Sequence, residues 1–146
     1  MTVWQRYINS AMKDGMYWDA AIVSIAQKQL LIAHQGGILA RMTTPEIQAL
    51  LGRNRDILLT RGLTLGGLKC LVIRDNLYGD AHYNTMDLRT KLLGDNSTRA
   101  IAVVLIDPVC LILIGEKGTQ GGTLNLKALQ TARSIKENLN INKPMF

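Results

Sequence analysis

Two long apolar runs separated by an Asp-Pro turn constrain the fold of this chain more than any other feature. They are AIAVVLI at 100–106 and VCLILIG at 109–115, with Asp107 and Pro108 between them. Their aliphatic and β-branched residues favour strands, and so short a connection requires antiparallel pairing. The runs predict a strong hairpin, and a sheet built on it must be covered by other elements.

Amphipathic helices are predicted at both ends of the chain. A stripe at helical spacing near the start consists of Trp4, Tyr7, Ile8 and Ala11. A second stripe begins after Gly121-Gly122, runs to about residue 139, and consists of Leu124, Ala128, Ala132, Ile135 and Leu139. Terminal helices that cover an antiparallel sheet predict an α+β sandwich, and the length predicts a single domain, 1–146.

The middle of the chain is predicted to hold a short helix and further strands. The helix is expected to start at Thr44-Pro45-Glu46, with Thr44 as its cap, and to stop at Gly52. Strands are predicted at 20–25, 30–33, 57–60, 63–65, 69–75 and 85–91. Gly66-Gly67 is the expected tight bend between 63–65 and 69–75.

The net charge of the chain favours an acidic partner without choosing one. The formal charge is +6 and the isoelectric point is about 9.6. Such an excess raises encounter rates with nucleic acid, anionic lipid or an acidic protein surface. Nucleic-acid binding is disfavoured, because aromatic residues make up 5% of the chain and the basic residues are scattered.

The cysteines and the N-terminal segment predict a reduced, cytosolic protein. Cys70 and Cys110 each lie within an apolar run, which is typical of buried free thiols that pack as small hydrophobic groups. The segment MTVWQRYINSAMKDG lacks the apolar core of a signal peptide. The apolar runs are also far shorter than a bilayer span.

The sequence contains no residue pattern that indicates catalysis or metal binding, so neither an enzyme nor a cofactor is expected. His34 and His82 stand alone near turn residues, and no metal-ligand spacing occurs. The glycine-rich segment 115–122 lacks the lysine of a phosphate-binding loop. It is interpreted either as a turn that leads into the last helix or as a loop that lets a partner approach its backbone.

Two further groups of residues allow two readings each. The cations Lys69, Arg74, Arg89 and Lys91 lie on two predicted strands and form either a solvated face or a positive patch. The alternation in 85–91 places Asp87, Arg89 and Lys91 opposite Met86, Leu88 and Thr90. Trp4 and Tyr7 either pack in the core or form part of a groove for proline-rich peptide.

Motifs along nearly the whole chain resemble those of the profilin family, in particular its animal members. They are WxxYI at 4–8, DAAIV at 19–23, TPE at 44–46, GLTLGGxKCxVIRD at 62–75, MDLRTK at 86–91 and the Gly121-Gly122 pair with Asn125. The resemblance implies a central antiparallel sheet, with the terminal helices on one face and smaller helical segments on the other. It also implies a cytoplasmic, cytoskeleton-associated regulator of actin polymerisation.

The resemblance assigns roles to particular residues of this chain. The surface that binds monomeric actin would consist of Lys69, Val72, Ile73, Arg74, Arg89, Lys91, Gly121, Gly122 and Asn125. Phosphatidylinositol bisphosphate would compete with actin at Lys69, Arg74, Arg89 and Lys91. The glycine pair is then interpreted as a point of close backbone approach to actin.

A third site of the family, for proline-rich peptides, is only partly preserved. Trp4 and Tyr7 match the family, whereas Ile32, Ser134 and Asn140 replace a tryptophan, a histidine and a tyrosine that animal members usually carry. A proline groove depends on stacked aromatic walls, so we expect weak or absent polyproline binding.

The actin surface also departs from the family pattern at Thr119-Gln120 and Leu129-Gln130. These departures support an alternative hypothesis, in which the chain binds phosphoinositides but has little or no productive actin binding.

Overall fold

The computed structural model describes residues 3–79 and 84–141, with side chains up to residue 138. Within these ranges the helices are α1 (Val3–Lys13), α2 (Thr44–Leu51), α3 (Asp56–Arg61) and α4 (Gly121–Ile141), and a 3₁₀ helix spans Ile38–Arg41. The strands are β1 (Tyr17–Ser24), β2 (Gln29–Ala33), β3 (Leu63–Leu65), β4 (Leu68–Asp75), β5 (Thr85–Thr90), β6 (Ala100–Ile106) and β7 (Val109–Gly115). The α+β prediction is confirmed.

All these strands form one antiparallel sheet in the order β2-β1-β7-β6-β5-β4-β3. The predicted β6–β7 hairpin pairs from Ile106↔Val109 to Ile101↔Ile114. Strand β1 then pairs with β7, so the first and last strands along the chain are neighbours inside the sheet. Strand β1 begins three residues before the predicted 20–25, because Tyr17 and Asp19 also pair with β7.

The apolar runs of β6 and β7 are continuous because both faces of the sheet are covered there. On the terminal-helix face, Leu111 and Leu113 pack with α1 and α4. On the short-helix face, Ile112 and Ile114 pack with α2, α3 and the 3₁₀ helix. Successive strand residues point to opposite faces, so a strand covered on both sides needs apolar side chains at every position.

The terminal helices cover one face with the stripes predicted from the sequence. In α1 the buried residue is Ile8, with Trp4, Tyr7 and Ala11 packed around it. In α4 the buried stripe consists of Leu124, Ala128, Ala132 and Ile135. The two alanines let the α4 backbone lie close to β6. The predicted continuation at Leu139 lies outside the described side chains.

An ion pair ties the short-helix layer to the end of β4. Arg55, between α2 and α3, donates from Nε and Nη2 to the two carboxylate oxygens of Asp75, at 2.8 and 3.0 Å. Its Nη1 donates to the carbonyls of Leu50 and Gly52, at 2.6 and 3.0 Å. Arg55 therefore satisfies carbonyls at the C-terminus of α2 and binds β4 at the same time.

Two predictions for this layer are wrong. The cap of α2 is Thr43 and not Thr44, because the Thr43 side chain accepts from the Glu46 N–H while the Glu46 side chain accepts from the Thr43 N–H. This is a capping box, which needs Glu at the third helical position. Residues 57–60, predicted as a strand, lie in α3, where Leu58 is buried and its neighbours are exposed. Short apolar runs do not distinguish strand from helix.

The predicted cysteine state is confirmed. Cys70 and Cys110 are free and buried. Burial raises the pKa of each thiol to about 12, because removal from water disfavours the thiolate. Neither thiol has the lowered pKa of a reactive cysteine.

The Glu46 carboxylate also anchors the β3–β4 turn. Beyond the capping box, it accepts hydrogen bonds from the N–H groups of Gly66 and Gly67, at 2.9 and 3.0 Å. Both glycines have positive φ, and a Cβ on Gly66 would lie 2.1 Å from the Ile38 carbonyl oxygen. Only glycine fits that position, and Glu46 holds the turn that precedes β4.

We predict that Glu46→Ala destabilises the protein by ~1–3 kcal/mol, because it removes the capping box and leaves the two turn amides without their charged acceptor. Urea denaturation measures the change, with Gln48→Ala, an exposed position of the same helix, as the matched control. The control should stay within about 0.5 kcal/mol of wild type. An equally small effect of Glu46→Ala would show that this carboxylate does not hold the turn.

Candidate functional site

Strands β4 and β5 extend beyond the cover of the terminal helices and carry the predicted site residues. Along β5, Met86, Leu88 and Thr90 are buried, whereas Asp87 and Arg89 are partly exposed on the other face. The predicted alternation is therefore confirmed within Thr85–Thr90. Lys91 follows directly, is exposed, and donates its backbone N–H to the Lys69 carbonyl at 3.0 Å.

A β-bulge in β4 brings the cations of this strand to one face. The register runs Leu71↔Arg89 and Val72↔Leu88, but the next pair is Arg74↔Asp87, so Ile73 is the extra residue. By strict alternation Arg74 would share a face with Cys70 and Val72. The bulge returns it to the face of Leu71 and Arg89. We call the exposed side formed by Lys69, Arg74, Arg89 and Lys91 the basic face.

Val72 and Ile73, which are also predicted actin contacts, lie in different environments. Val72 points to the short-helix face and packs against the core there. Ile73, at the bulge, is 62% exposed. The basic face also includes Leu71, which is 48% exposed and opposite Arg89. The sequence interpretation missed Leu71, although its spacing of two from Lys69 was a usable signal.

Arg89 is held in place by a neighbouring loop. Its Nε donates to Oγ1 of Thr98 at 2.9 Å, and Thr98 lies in the segment between β5 and β6. A guanidinium oriented by such a bond loses less conformational freedom when it meets a partner.

The start of α4 borders the basic face through Asn125. Its side-chain amide donates to Oδ1 of Asp87 at 2.6 Å, which joins the first turns of α4 to β5. Gly121 and Gly122 lie at the helix start, and a Cβ on either would meet no described atom within 4 Å. In the preceding loop the positive φ belongs to Gly118. The turn therefore does not require the glycine pair, and its open surface suits close approach by a partner.

A groove lies between α1 and α4, where the resemblance places the proline-rich site. Its cavity of about 620 Å³ is lined by Tyr7 and Tyr17, by small apolar residues and by polar side chains, among them Arg6, Ser10, Gln130, Thr131, Ser134 and Asn138. The Asn138 amide donates to the Tyr7 hydroxyl. Trp4 is tilted by 40° from Tyr7 and packs, with Ile32, against the core of the terminal-helix face. The Asn140 side chain lies outside the described residues.

A second cavity of about 620 Å³ is lined by the end of β6, by α4 and by residues around Arg53 and Tyr78. Its floor includes Val104 and Ile106, and cations on its wall are Arg53, Arg133 and Lys136. The guanidinium of Arg53 stacks over Tyr78 at 4.2 Å from the ring centre. The sequence interpretation did not group these cations, because they are distant along the chain.

Among residues 3–79 and 84–141, no group of His, Cys, Asp and Glu side chains is placed to hold a metal ion. Within the same ranges, no helix has the length and apolarity that a membrane crossing needs. His82 lies outside the described residues.

Comparison with known proteins places these features in one family. The family described as Profilin matches residues 2–139. Profilin-2 of Rattus norvegicus is 41% identical over 138 residues, which cover 94% of this chain and 98% of the relative. Profilin-1 of Mus musculus is 38% identical over 137 residues, 93% of this chain and 97% of the relative.

Solved structures agree with the sequence matches. Human profilin II superimposes with a TM-score of 0.86 at 41% identity, covering 92% of this chain and 98% of that one. Mouse profilin IIa, solved in complex with a double repeat from the FH1 domain of mDia1, gives a TM-score of 0.86 at 39% identity and covers 94% and 99%. With its sheet, its terminal helices and nearly its whole length matched, the chain belongs to the profilin family of non-enzymatic, actin-binding regulators of polymerisation.

Proposed function

We propose that this chain binds monomeric actin one to one through the basic face and the start of α4, and thereby regulates actin assembly. The observation that carries the proposal is the bulge at Ile73, which gathers Lys69 and Arg74 beside Arg89 and Lys91. A cytoplasmic, cytoskeleton-associated location follows from this function. The fold also supports the proposal, since family membership rests on nearly the whole chain.

The chemistry of the basic face suits a protein partner with an acidic surface. Four cations surround the exposed side chain of Leu71, and Ile73 protrudes next to them. Buried apolar contacts supply affinity at the centre of an interface, whereas surrounding charges steer the approach. The uncovered backbone of Gly121 and Gly122 adds a surface without side chains for close packing.

Of the departures from the family pattern, Thr119 and Gln120 lie at the border of this surface, whereas Leu129 and Gln130 line the two cavities. Gln120 is exposed next to the glycine pair, and Leu129 packs partly against the core while lining the second cavity. Thr119 packs close to Gly115, where an added Cβ would lie 3.1 Å from the Thr119 Cβ. These positions would change the affinity for actin and leave the four cations in place.

We further propose that proline-rich peptides bind weakly or not at all. The aromatic residues that line the groove between α1 and α4 are Tyr7 and Tyr17, and amides, hydroxyls and charges make up much of the rest. The Asn138 amide also occupies an acceptor position of the Tyr7 hydroxyl. Trp4 packs against the core of the terminal-helix face and does not line the cavity.

A second candidate function is phosphoinositide binding with little productive actin binding. The basic face supplies Lys69, Arg74, Arg89 and Lys91 for a phosphorylated headgroup. The wall of the second cavity supplies Arg53, Arg133 and Lys136, with Asp107 as an acid beside them. Two separate groups of cations would let the chain bind anionic headgroups at more than one point.

Actin binding is tested first by the assembly of pyrene-labelled actin. We expect the protein to suppress nucleation when it is in molar excess over actin. Lys69→Ala and Arg74→Ala should each weaken binding to ATP-actin by ~1–3 kcal/mol if the cation meets an acid at the interface centre, and by less at the rim. Arg41→Ala removes the same charge from the short-helix layer and is the matched control. Unchanged affinity in both β4 variants would exclude this strand from the interface.

Polyproline binding is tested by titrating the protein with decaproline and measuring the heat by isothermal titration calorimetry. We expect no saturable heat at micromolar peptide, because the groove has few aromatic side chains and Trp4 does not line it. The double variant Ile32→Trp/Ser134→His restores two family residues at the groove and should gain measurable affinity. Saturable binding by the wild type at micromolar concentration would contradict the proposal.

Lipid binding is tested by co-sedimentation with phosphatidylcholine vesicles that contain or lack phosphatidylinositol bisphosphate. If the basic face is the site, Arg89→Ala/Lys91→Ala should abolish most of the lipid-specific sedimentation. Arg53→Ala/Lys136→Ala tests the second cavity separately. Sedimentation that survives the first pair and fails with the second would assign the headgroup to the cavity.

A further inference from the structure

A buried arginine lies behind the basic face, at the end of the sheet where two loops emerge. Arg99 is 8% exposed and directly precedes β6. Its guanidinium stacks on the ring of Trp18 in β1 at 4.5 Å from the ring centre. Its backbone N–H donates to Oγ1 of Thr90 at 2.9 Å, and its carbonyl accepts from the Thr90 N–H at 3.0 Å. Since Thr90 is buried, Arg99 is fixed to the covered side of β5.

Two carboxylates reach Arg99 from different loops. Asp95, between β5 and β6, lies with Oδ2 3.5 Å from Nη2. Glu116, between β7 and α4, lies with Oε2 3.7 Å from Nη1. Within the described part of the chain, the Nε and Nη1 atoms have no hydrogen-bond acceptor. We call this contact of Arg99 with Trp18, Asp95 and Glu116 the Arg99 clasp.

Both loops of the clasp lead directly to the basic face. The β5–β6 loop contains Thr98, which holds the guanidinium of Arg89. The β7–α4 loop continues through Thr119 to Gly121-Gly122. Thr98 and Arg99 are consecutive. The Thr98 side chain orients Arg89, and the Arg99 side chain is buried against Trp18 behind the basic face.

Stability alone does not account for a buried arginine at this position. A buried cation with unsatisfied donors is unfavourable, and replacing such groups with apolar residues of similar volume is often neutral or stabilising. What an apolar residue could not supply is attraction for two carboxylates from different loops at once. The specific contribution of the arginine is therefore to position those loops.

We propose that Arg99 is a positioning residue of the binding surface, which sets the two loops through Asp95 and Glu116 and thereby orients Arg89 and the glycine pair. This inference rests on the proposed actin-binding function. It adds a residue that lies outside the surface and acts through the Thr98–Arg89 hydrogen bond. The partner recognised is the same acidic protein surface.

The test compares Arg99→Met and Arg99→Lys with wild type in thermal stability and in affinity for ATP-actin. We expect Arg99→Met to keep or raise the melting temperature while weakening actin binding by roughly 3- to 10-fold. Arg99→Lys retains the charge but loses the planar stack on Trp18. Its affinity for ATP-actin should lie between those of wild type and Arg99→Met. Arg41→Met, the same substitution at an exposed arginine of the 3₁₀ helix, is the matched control and should bind with less than a ~2-fold change.

A double-mutant cycle shows whether Arg99 acts through Arg89. If it does, Arg99→Met should weaken actin binding less in an Arg89→Ala background than in wild type. Additive losses would overturn that route. Wild-type affinity in Arg99→Met, or a loss that only follows a lowered melting temperature, would overturn the positioning role itself.

Hydrogen exchange separates this inference from the proposed function. The Leu93 amide bonds to the Ser97 carbonyl within one loop, and the Thr119 amide bonds to the Glu116 carbonyl within the other. Both amides should exchange faster in Arg99→Met than in wild type, whether or not actin binds. Unchanged exchange at both would overturn the clasp, whereas failure of the wild type to bind actin would overturn the proposed function alone.

Discussion

The ion pair between Arg55 and Asp75 connects β4 with the short-helix layer, and the proposed binding surface depends on both. Asp75 ends β4, the strand with the bulge and two of the four cations of the basic face. Arg55 lies between two helices that cover the opposite face, and it also satisfies carbonyls of α2. Removing one partner would leave the other charge partly buried and alone, which is far less favourable than the intact pair. The far end of β4 is therefore fixed by the layer behind it, while Glu46 fixes the turn at its near end.

The sequence was sufficient for features that repeat with a regular period. The hairpin of β6 and β7, the stripes of α1 and α4 and the alternation in β5 follow from the spacing of apolar residues, and all are observed. The spacing of apolar residues could not assign residues 57–60 to a helix or a strand, because four apolar or β-branched residues fit a strand and one turn of helix equally well. It also could not reveal the bulge at Ile73, which depends on how β4 pairs with β5. Arg99 was overlooked because Trp18 and Glu116, which surround it, are distant along the chain.

Helix α4 links the basic face with the groove between α1 and α4. Its first turns bear Asn125, bonded to β5 beside the basic face, and a later turn bears Asn138, bonded to Tyr7 in the groove. The buried stripe between them holds the helix on β6. Exposed positions at one end can therefore change without moving the other.

The bulge in β4 has a consequence for how these molecules behave at high concentration. Strand β3 pairs only with the first residues of β4, from Leu68 to Cys70, so from Val72 onward the outer side of β4 has no strand neighbour in the described structure. A regular strand there, with Leu71 and Ile73 exposed, would offer unpaired backbone groups to another copy and promote aggregation. The extra residue interrupts that ladder, and Arg74 places a charge beside it. The bulge that gathers the cations thus also disfavours edge-to-edge pairing between the sheets of two copies.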